Sequence, residues 1–517
     1  MDRRKLLERL SATAHWDLIV IGGGATGLGV AVDAAARGFS VALVEAHDFA
    51  KGTSSRTTKL VHGGVRYLAQ GNIALVKEGL RERALLLANA PHLAQPLPFV
   101  MPAYRWWERG WYGMGLRLYD LLAGDARLGR TETLGAYETQ RRLPSIRRTG
   151  LRGGVQYWDG QFDDARLAIA LARTAVRLGA AVLNYCVAVD LLREGSAITG
   201  VAVRDMETGR RMALKAGCVV NATGVWADQV RRFDRPDEPR MVEPSQGIHL
   251  VVDRSFLPGD RALLVPRTAD RRVLFAIPWL GATLLGTTDT PREGIVEEPR
   301  ATNEEIDFIL KEVGRYLHKP PTRAHVRSLW VGLRPLVKPV KARGKRTKAL
   351  SREHTVVISG SGLVTVTGGK WSTYRAMAED VLEECFAHEL LPRKPAGVTR
   401  ELRLAGAPEK ALAPICAPPG LHLYGTDAEA VGSLPGAGRE LAPGFTEAMV
   451  RFAVREEFAR SVEDVLARRS RLLFLDAAKA SSLAEPVAAI LAEELGGEFD
   501  AAKSARDFEA LARSYRL

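Results

Sequence analysis

The sequence predicts an α/β fold with a doubly wound parallel sheet, an inserted mixed or antiparallel sheet, and an all-α C-terminal domain. Three observations lead there. The apolar run WDLIVI at 16–21 ends in glycines and is followed by a helical pattern and a second apolar run, SVALVE, which together read as a strand–helix–strand unit. Residues 240–290 break into short strand-like runs (HLVVD, ALLVP, RVLFAIP, TLLGTTD) separated by Pro, Gly and charged turns. From about residue 396 the chain passes through a Pro/Gly-rich stretch, 406–443, into alternating apolar and charged helical segments.

Length and composition agree with several domains. At 517 residues the chain exceeds what one core supports, about 250–300 residues. Hydrophobic residues make up 46% and charged residues 26%, which excludes disorder as a description of the whole chain. The net charge of +13 favours an anionic partner, yet the basic residues are spread along the chain without a nucleic-acid-binding signature, so no nucleic acid is expected. Four cysteines without a CxxC pair predict buried thiols in a reducing compartment and no metal site. The N-terminus lacks the apolar core of a signal peptide, and the longest apolar stretch, Val273 to Gly286, is interrupted by Pro278 and too short to span a bilayer, predicting a cytoplasmic protein.

Taken in order, ATGLGVAVDAAARG forms the first helix, with Gly38 as its C-terminal stop. DDARLAIALARTAVRLGA is a later helix leading into AVLNY, and CVVNAT is a buried strand. Near residue 355 the chain returns to α/β character with TVVIS, GLVTVTGG and the helix WSTYRAMAEDVLEECF. The expected division is a discontinuous nucleotide-binding domain (1–100, 150–235 and 340–395), a substrate or cap domain (101–149 and 236–339), and a helical domain (396–517).

Gly22, Gly24 and Gly27 spell GxGxxG between the first strand and its helix. Gly22 permits the tight turn, Gly24 lets the backbone approach a pyrophosphate, and Gly27 lets the helix pack on the strand. The helix N-terminus then offers N–H donors and a positive dipole end. Glu45, at the end of the second strand, is placed to accept ribose hydroxyls. This spacing does not distinguish FAD from NAD. Two segments favour flavin. TSSRTTKLVHGGVRYL (53–68), with Ser54, Ser55, Lys59, His62, Gly63 and Gly64, can pass beneath a flavin ring with small side chains and free backbone donors. NATGVWAD (221–228), with Thr223 and Gly224, ends a strand where the backbone can approach a bound cofactor closely.

At these residues the chain resembles the FAD-dependent, respiratory glycerol-3-phosphate dehydrogenases over almost its whole length. The motifs are DLIVIGGGATG, SSRTTKLVHGGVRYL, APHL, DDARL, VNATGVWAD, QGIHLVV, IPWLGATLLGTTDT, VGLRPL, LSREHTV and TGGKWSTYR, together with the helical tail RFAVREEFARSVEDVLARRSRL. The resemblance implies a glutathione-reductase-like FAD domain, oxidation of sn-glycerol 3-phosphate to dihydroxyacetone phosphate, a membrane-surface location and electron delivery to quinone. Two departures are the unusually basic KPVKARGKRTK and His354, which stands where an aromatic residue is common.

That chemistry needs a phosphate grip, a proton acceptor and stabilisation of the reduced ring. Arg334 in GLRPL and Arg352 in SREHT are the candidates for the phosphate and hydroxyl ends, since guanidinium binds phosphate bidentately. His249 in QGIHLVV is the candidate general base; alternatively Arg334 perturbs the hydroxyl and water is the base. Lys370, following Gly368 and Gly369 at a helix start, can sit where charge develops on the flavin, with Thr373 adding a hydroxyl. His62 is expected to pack or make a backbone contact and not to bind flavin covalently.

RWWERGWYGMGLRLYDLLAG (105–124) clusters aromatic residues and leucines among arginines. It reads either as a patch on an anionic membrane surface or as a buried helix pair or dimer contact. The expected partners are therefore glycerol 3-phosphate, a quinone, the membrane surface and a second copy of the chain in a homodimer. An oxygen-reducing glycerol-3-phosphate oxidase, an amine or amino-acid oxidase, and a flavin-binding protein without activity are the alternatives.

Overall fold

A computed structural model describes residues 2–64, 72–270, 272–337, 354–497 and 499–517. The strand Trp16–Ile21 is the centre of the first sheet. It pairs in parallel with Val41–Val44 on one side and with the second half of Arg211–Asn221 on the other. Leu363–Gly368 and Ala181–Leu183 extend the sheet in parallel, and His354–Ile358 closes one edge antiparallel. These strands read as near-continuous apolar runs because both faces of a parallel sheet are covered. The helices Ala25–Ala36, Asp164–Arg177 and Tyr374–Ala387 pack together and against it. The first half of Arg211–Asn221 turns to pair antiparallel with Ala197–Asp205, which carries Cys186–Glu194.

Gly38 does stop the first helix: its φ is +78° and its N–H donates to the Ala35 carbonyl at 2.9 Å. In the left-handed region a side chain would be strained, and glycine is not.

The second sheet has ten strands among the described residues. At its heart Val242–Asp253 lies between Val326–Val337 and Ala282–Gly286, both antiparallel to it. Leu274–Trp279 and Ala262–Val265 follow, then Ala94–Ala103 in parallel and Gly153–Phe162 antiparallel. Ala94–Ala103 and Gly153–Phe162, which the sequence reading put largely with the nucleotide-binding part, therefore belong to this sheet. Their apolar residues fit a half-buried antiparallel strand as well as a parallel one, and only pairing decides between them. The helix Asn303–Gly314 covers one face, burying Ile306, Ile309 and Val313 against Ile248, Leu250 and Val252.

The opposite face of this sheet meets the C-terminal segments. Trp279, Trp330, Ile277 and Phe99 share one core with Val465, Leu473, Phe474 and Phe508. Among the described residues, the C-terminal part begins with turns and bends up to residue 420, and from Leu421 onward carries helices and a small hairpin, Glu440–Ala442 with Phe445–Thr446. All four cysteines are buried and free. No helix among the described residues is long and apolar enough to cross a membrane.

Candidate active site

A cavity of about 1300 Å³ opens at the C-terminal ends of the parallel strands, runs to the face of the second sheet, and reaches beneath the helix Glu108–Ala123. In open α/β sheets the crevice beyond the strand ends is where a ligand can meet both a strand terminus and a helix N-terminus. Gly22, Gly24, Glu45, Ser54, His62, Gly64, Thr223, Gly224, His249, Arg334, Gly368, Gly369 and Lys370 all line it.

At the dinucleotide end, Gly22 has φ +112°, and a Cβ there would sit 2.7 Å from the Ala222 carbonyl oxygen. Gly27 is not among the residues lining this cavity; a Cβ on it would run into the Gly22 carbonyl, so its role is to let the helix close on the turn. Ser54 Oγ accepts from Ala25 N at 3.0 Å and caps the helix start. Glu45 accepts from Gly23 N at 2.6 Å and His47 N at 2.9 Å. Burial raises its carboxyl above the usual range against the pull of those two donors. Thr223 donates to Asn221 Oδ1 at 2.7 Å, and Gly224 takes φ +61° where the strand ends.

On the sheet side, strand alternation points Ser245, Gly247 and His249 to one face and Ile248, Leu250 and Val252 to the other. His249 is 2% exposed. Its Nε2 shares a hydrogen bond of 2.9 Å with the Thr58 hydroxyl, and its ring stacks on Trp330 at 5.2 Å. Burial, then the charges of Lys59 and Arg334, push the imidazole well below its ordinary value, so it is neutral. Arg334 Nη2 donates to Thr288 O at 3.0 Å and to Thr287 Oγ1 at 3.2 Å, and Nη1 lies 3.4 Å from Asp289 Oδ1. The guanidinium lies across Gly247, where a Cβ would stand 2.7 Å from its central carbon. Lys370 precedes the turn Trp371–Thr373 that leads into the helix Tyr374–Ala387, and Trp371 Nε1 donates to Ser54 O at 2.8 Å, tying this turn to the first segment.

Several sequence-predicted residues sit elsewhere. Lys59 is wholly buried in an ion pair with Asp164, Nζ to Oδ2 2.7 Å, and does not reach the cavity. Ser55 is buried, with its carbonyl accepting from Lys59 at 2.7 Å. Thr373 donates to the Lys370 carbonyl at 3.2 Å, and Gly63 packs against Tyr119 and Leu80. These four lie one position out of phase with cavity-facing neighbours, a distinction that composition does not carry. Arg352 and the basic run 338–348 lie outside the described residues. His354, at a sheet edge, pairs with Asp380 at 2.8 Å. The sequence reading passed over Thr58 and Asp289, although both stand in motifs it quotes; a polar side chain beside a candidate histidine or arginine was the available signal.

The cradle fits FAD. Gly22 permits the turn, Gly24 leaves the cavity wall without a side chain where a pyrophosphate would approach, the first helix turn carries N–H groups with no carbonyl partner inside the helix, and Glu45 lines the wall where the second strand ends.

Residues 17–375 match the family model described as FAD dependent oxidoreductase, and residues 397–502 match the C-terminal domain of alpha-glycerophosphate oxidase. A mitochondrial glycerol-3-phosphate dehydrogenase of Arabidopsis thaliana is 40% identical over 531 residues, covering 94% of this chain and 84% of that protein. The mitochondrial glycerol-3-phosphate dehydrogenase of Macaca fascicularis is 39% identical over 96% of this chain and 72% of its own length. The solved structure of the glycerol-3-phosphate dehydrogenase from Bacillus halodurans complexed with FAD superposes with a TM-score of 0.80 at 30% identity, covering 99% of this chain and 97% of that one.

Proposed function

The chain belongs to the FAD-dependent glycerol-3-phosphate dehydrogenases, and from that premise we propose that it oxidises sn-glycerol 3-phosphate to dihydroxyacetone phosphate and delivers the electrons to a membrane quinone. The observation that carries this reading is a tethered guanidinium, Arg334, and a buried neutral imidazole, His249, on the cavity wall formed by the second sheet.

Gly22, Gly24, Glu45, Ser54, Thr223, Gly224, Gly368, Gly369 and Lys370 would hold the cofactor. When bound, FAD supplies a two-electron acceptor for the hydride that leaves carbon 2. Arg334 grips the phosphate through a planar fork already oriented by Thr287, Thr288 and Asp289, so little rotamer freedom is lost on binding. Arg352, which lies outside the described residues, is proposed on its motif as the partner of Arg334 in binding the phosphate and hydroxyl ends of the substrate. His249 takes the hydroxyl proton. A phosphate dianion arriving beside it offsets the two cations that depress it, and so raises its basicity when the substrate is in place. Lys370 sets its ammonium where negative charge develops on reduction.

The helix Glu108–Ala123 supports the quinone and membrane parts of the reading. Tyr112 and Leu116 face the cavity together with Phe99, Met101 and Phe275. Trp106 and Leu121 stand outward at 86% and 76% exposure, and Trp111, which also lines the cavity, at 64%, flanked by the exposed Arg105, Arg109 and Arg117. One side of this helix packs on the helix Ile73–Asn89, where Tyr119 and Ala123 are buried with Val76 and Leu80, and the exposed side is what remains for a membrane surface or a second copy of the chain. Aromatic and basic residues together suit an anionic bilayer surface, and the apolar arm behind them suits an apolar acceptor arriving from it.

Anaerobic mixing tests the substrate. The yellow holoenzyme should bleach with glycerol 3-phosphate and keep its colour with glycerol or with an amino acid; the reverse preference ends this reading. Rapid oxygen consumption by the same protein without quinone would replace the dehydrogenase with an oxidase.

A further inference from the structure

Behind His249 lies a buried cluster of charges to which the C-terminal part of the chain contributes. Lys59 Nζ donates to Ser55 O at 2.7 Å and to Asp164 Oδ1 and Oδ2 at 2.9 and 2.7 Å. The rings of Trp279, Trp330 and Phe474 enclose the ammonium at 5.4, 5.1 and 5.3 Å. Arg471, itself fully buried, donates through Nη2 to the same two acceptor groups, Ser55 O at 3.0 Å and Asp164 Oδ1 at 3.1 Å, and its Nε lies 3.5 Å from Asp163. Asp164 also accepts from Thr57 N at 3.1 Å and Thr57 Oγ1 at 2.6 Å.

The two neighbours of Thr58, Thr57 and Lys59, are therefore tied to one carboxylate. Thr58 in turn bonds His249 Nε2, and Trp330, which walls the ammonium, stacks on the His249 ring. Burying charges is costly, and an apolar plug of similar size would hold the same space at less expense. The cluster's distinctive property is geometric, because it leaves the turn between Ser55 and Lys59 one conformation.

We propose that Lys59, Asp164 and Arg471 are positioning residues: they clamp this turn so that Thr58 and Trp330 hold the His249 imidazole in a single orientation, with the C-terminal part completing the clamp. This rests on the reading of His249 as proton acceptor. An electrostatic consequence follows. The charged groups facing His249 are Lys59 from beneath and Arg334 across Gly247; Asp164 and Arg471 face Lys59, and Asp289 faces Arg334. Burial pushes the Lys59 ammonium down to about 7 while Asp164 holds it up and Arg471 presses it down. Removing the ammonium takes a positive charge away from His249, so the imidazole gains affinity for protons.

The test is anaerobic flavin reduction by glycerol 3-phosphate, followed against pH in the holoenzyme, for Lys59→Met, His249→Asn and the double variant. Lys59→Met should lower the limiting rate roughly ten- to hundredfold through misorientation. It should also move the acid limb up by about one pH unit, with the substrate Kd read from the same reduction little changed because Arg334 is intact. His249→Asn should abolish the acid limb, and Lys59→Met should then displace nothing further. An unshifted limb in Lys59→Met, or an equal shift in both backgrounds, overturns the clamp. An acid limb that survives His249→Asn overturns the assignment of the base itself. Should Lys59→Met fail to hold FAD, Thr58→Val cuts the same connection at its last bond while leaving the charges in place; parental kinetics in that variant also overturn the proposal.

Discussion

Arg334 can cross the sheet face only because residue 247 has no side chain. A Cβ at Gly247 would meet the end of a flexible side chain, so Gly247→Ala should displace the guanidinium and leave the fold intact. Hydrogen bonds to a charged partner are worth about 1.5–3 kcal/mol, so KM for glycerol 3-phosphate should rise roughly ten- to hundredfold with the thermal midpoint nearly unchanged. The buried histidines carry a second prediction. His92 is pushed down to about 3, mainly by burial and then by Arg166, and His249 is likewise held neutral. In the unfolded chain each protonates near its ordinary value of about 6.5, so the unfolded state binds more protons as pH falls below that value. Stability must then decline on acidification, by up to about 1.4 kcal/mol per pH unit for each histidine. Thermal denaturation across this range should show a shallower decline in His92→Gln than in the parent; an identical slope would mean that His92 protonates in the folded state.

Among the elements, the helix Glu108–Ala123 has two apolar sides with different fates. Leu116 and Tyr119 are buried, the Tyr119 hydroxyl donating to Asp159 at 3.1 Å, whereas Leu121 on the helix and Trp106 just before it are exposed, and Trp111 and Met114, also exposed, line the cavity. An exposed apolar side of this kind fits the proposed contact with an anionic membrane surface. Trp106→Ala and Trp107→Ala combined should sharply weaken flotation with anionic liposomes and leave flavin reduction by glycerol 3-phosphate at the parental rate, because neither side chain lines the cavity. Flotation equal to the parent's would return the exposed side to a contact between protein copies. The strand Val242–Asp253 shows the same division at a period of two: its alternate residues serve a packed core on one face and the candidate site on the other.

Across the whole molecule, the C-terminal part is joined to the nucleotide-binding part by buried charge as well as by apolar surface. Asp48 accepts from Arg469 Nη2 at 3.0 Å and from Asn184 at 3.2 Å, and it pairs with Arg468 as well. Removing one partner of such a buried pair costs about 3–5 kcal/mol because the other charge is left uncompensated. Asp48→Ala should therefore lower the thermal midpoint markedly and expose the 406–443 stretch to proteolysis. Local signals made part of this architecture readable in advance. The glycines between WDLIVI and its helix can serve only a close turn, and a buried parallel strand needs an unbroken apolar run, so the nucleotide cradle was legible within thirty residues. His249, Arg334 and Lys370 were legible as residue types in their motifs. Other features depended on contacts between distant segments. Ala94–Ala103 and Gly153–Phe162 joined the second sheet through their pairing, and Lys59 turned from the cavity to an acid 105 residues away. Arg471 reached that same carboxylate from 307 residues away. The sequence by itself determined the glycine turn, the helix stop and the periodicity of each element, since these follow from backbone sterics and neighbouring side chains. Tertiary structure alone decided which charges share a carboxylate and which side of a turn faces the cavity, because burial and partner distance are properties of the assembled chain.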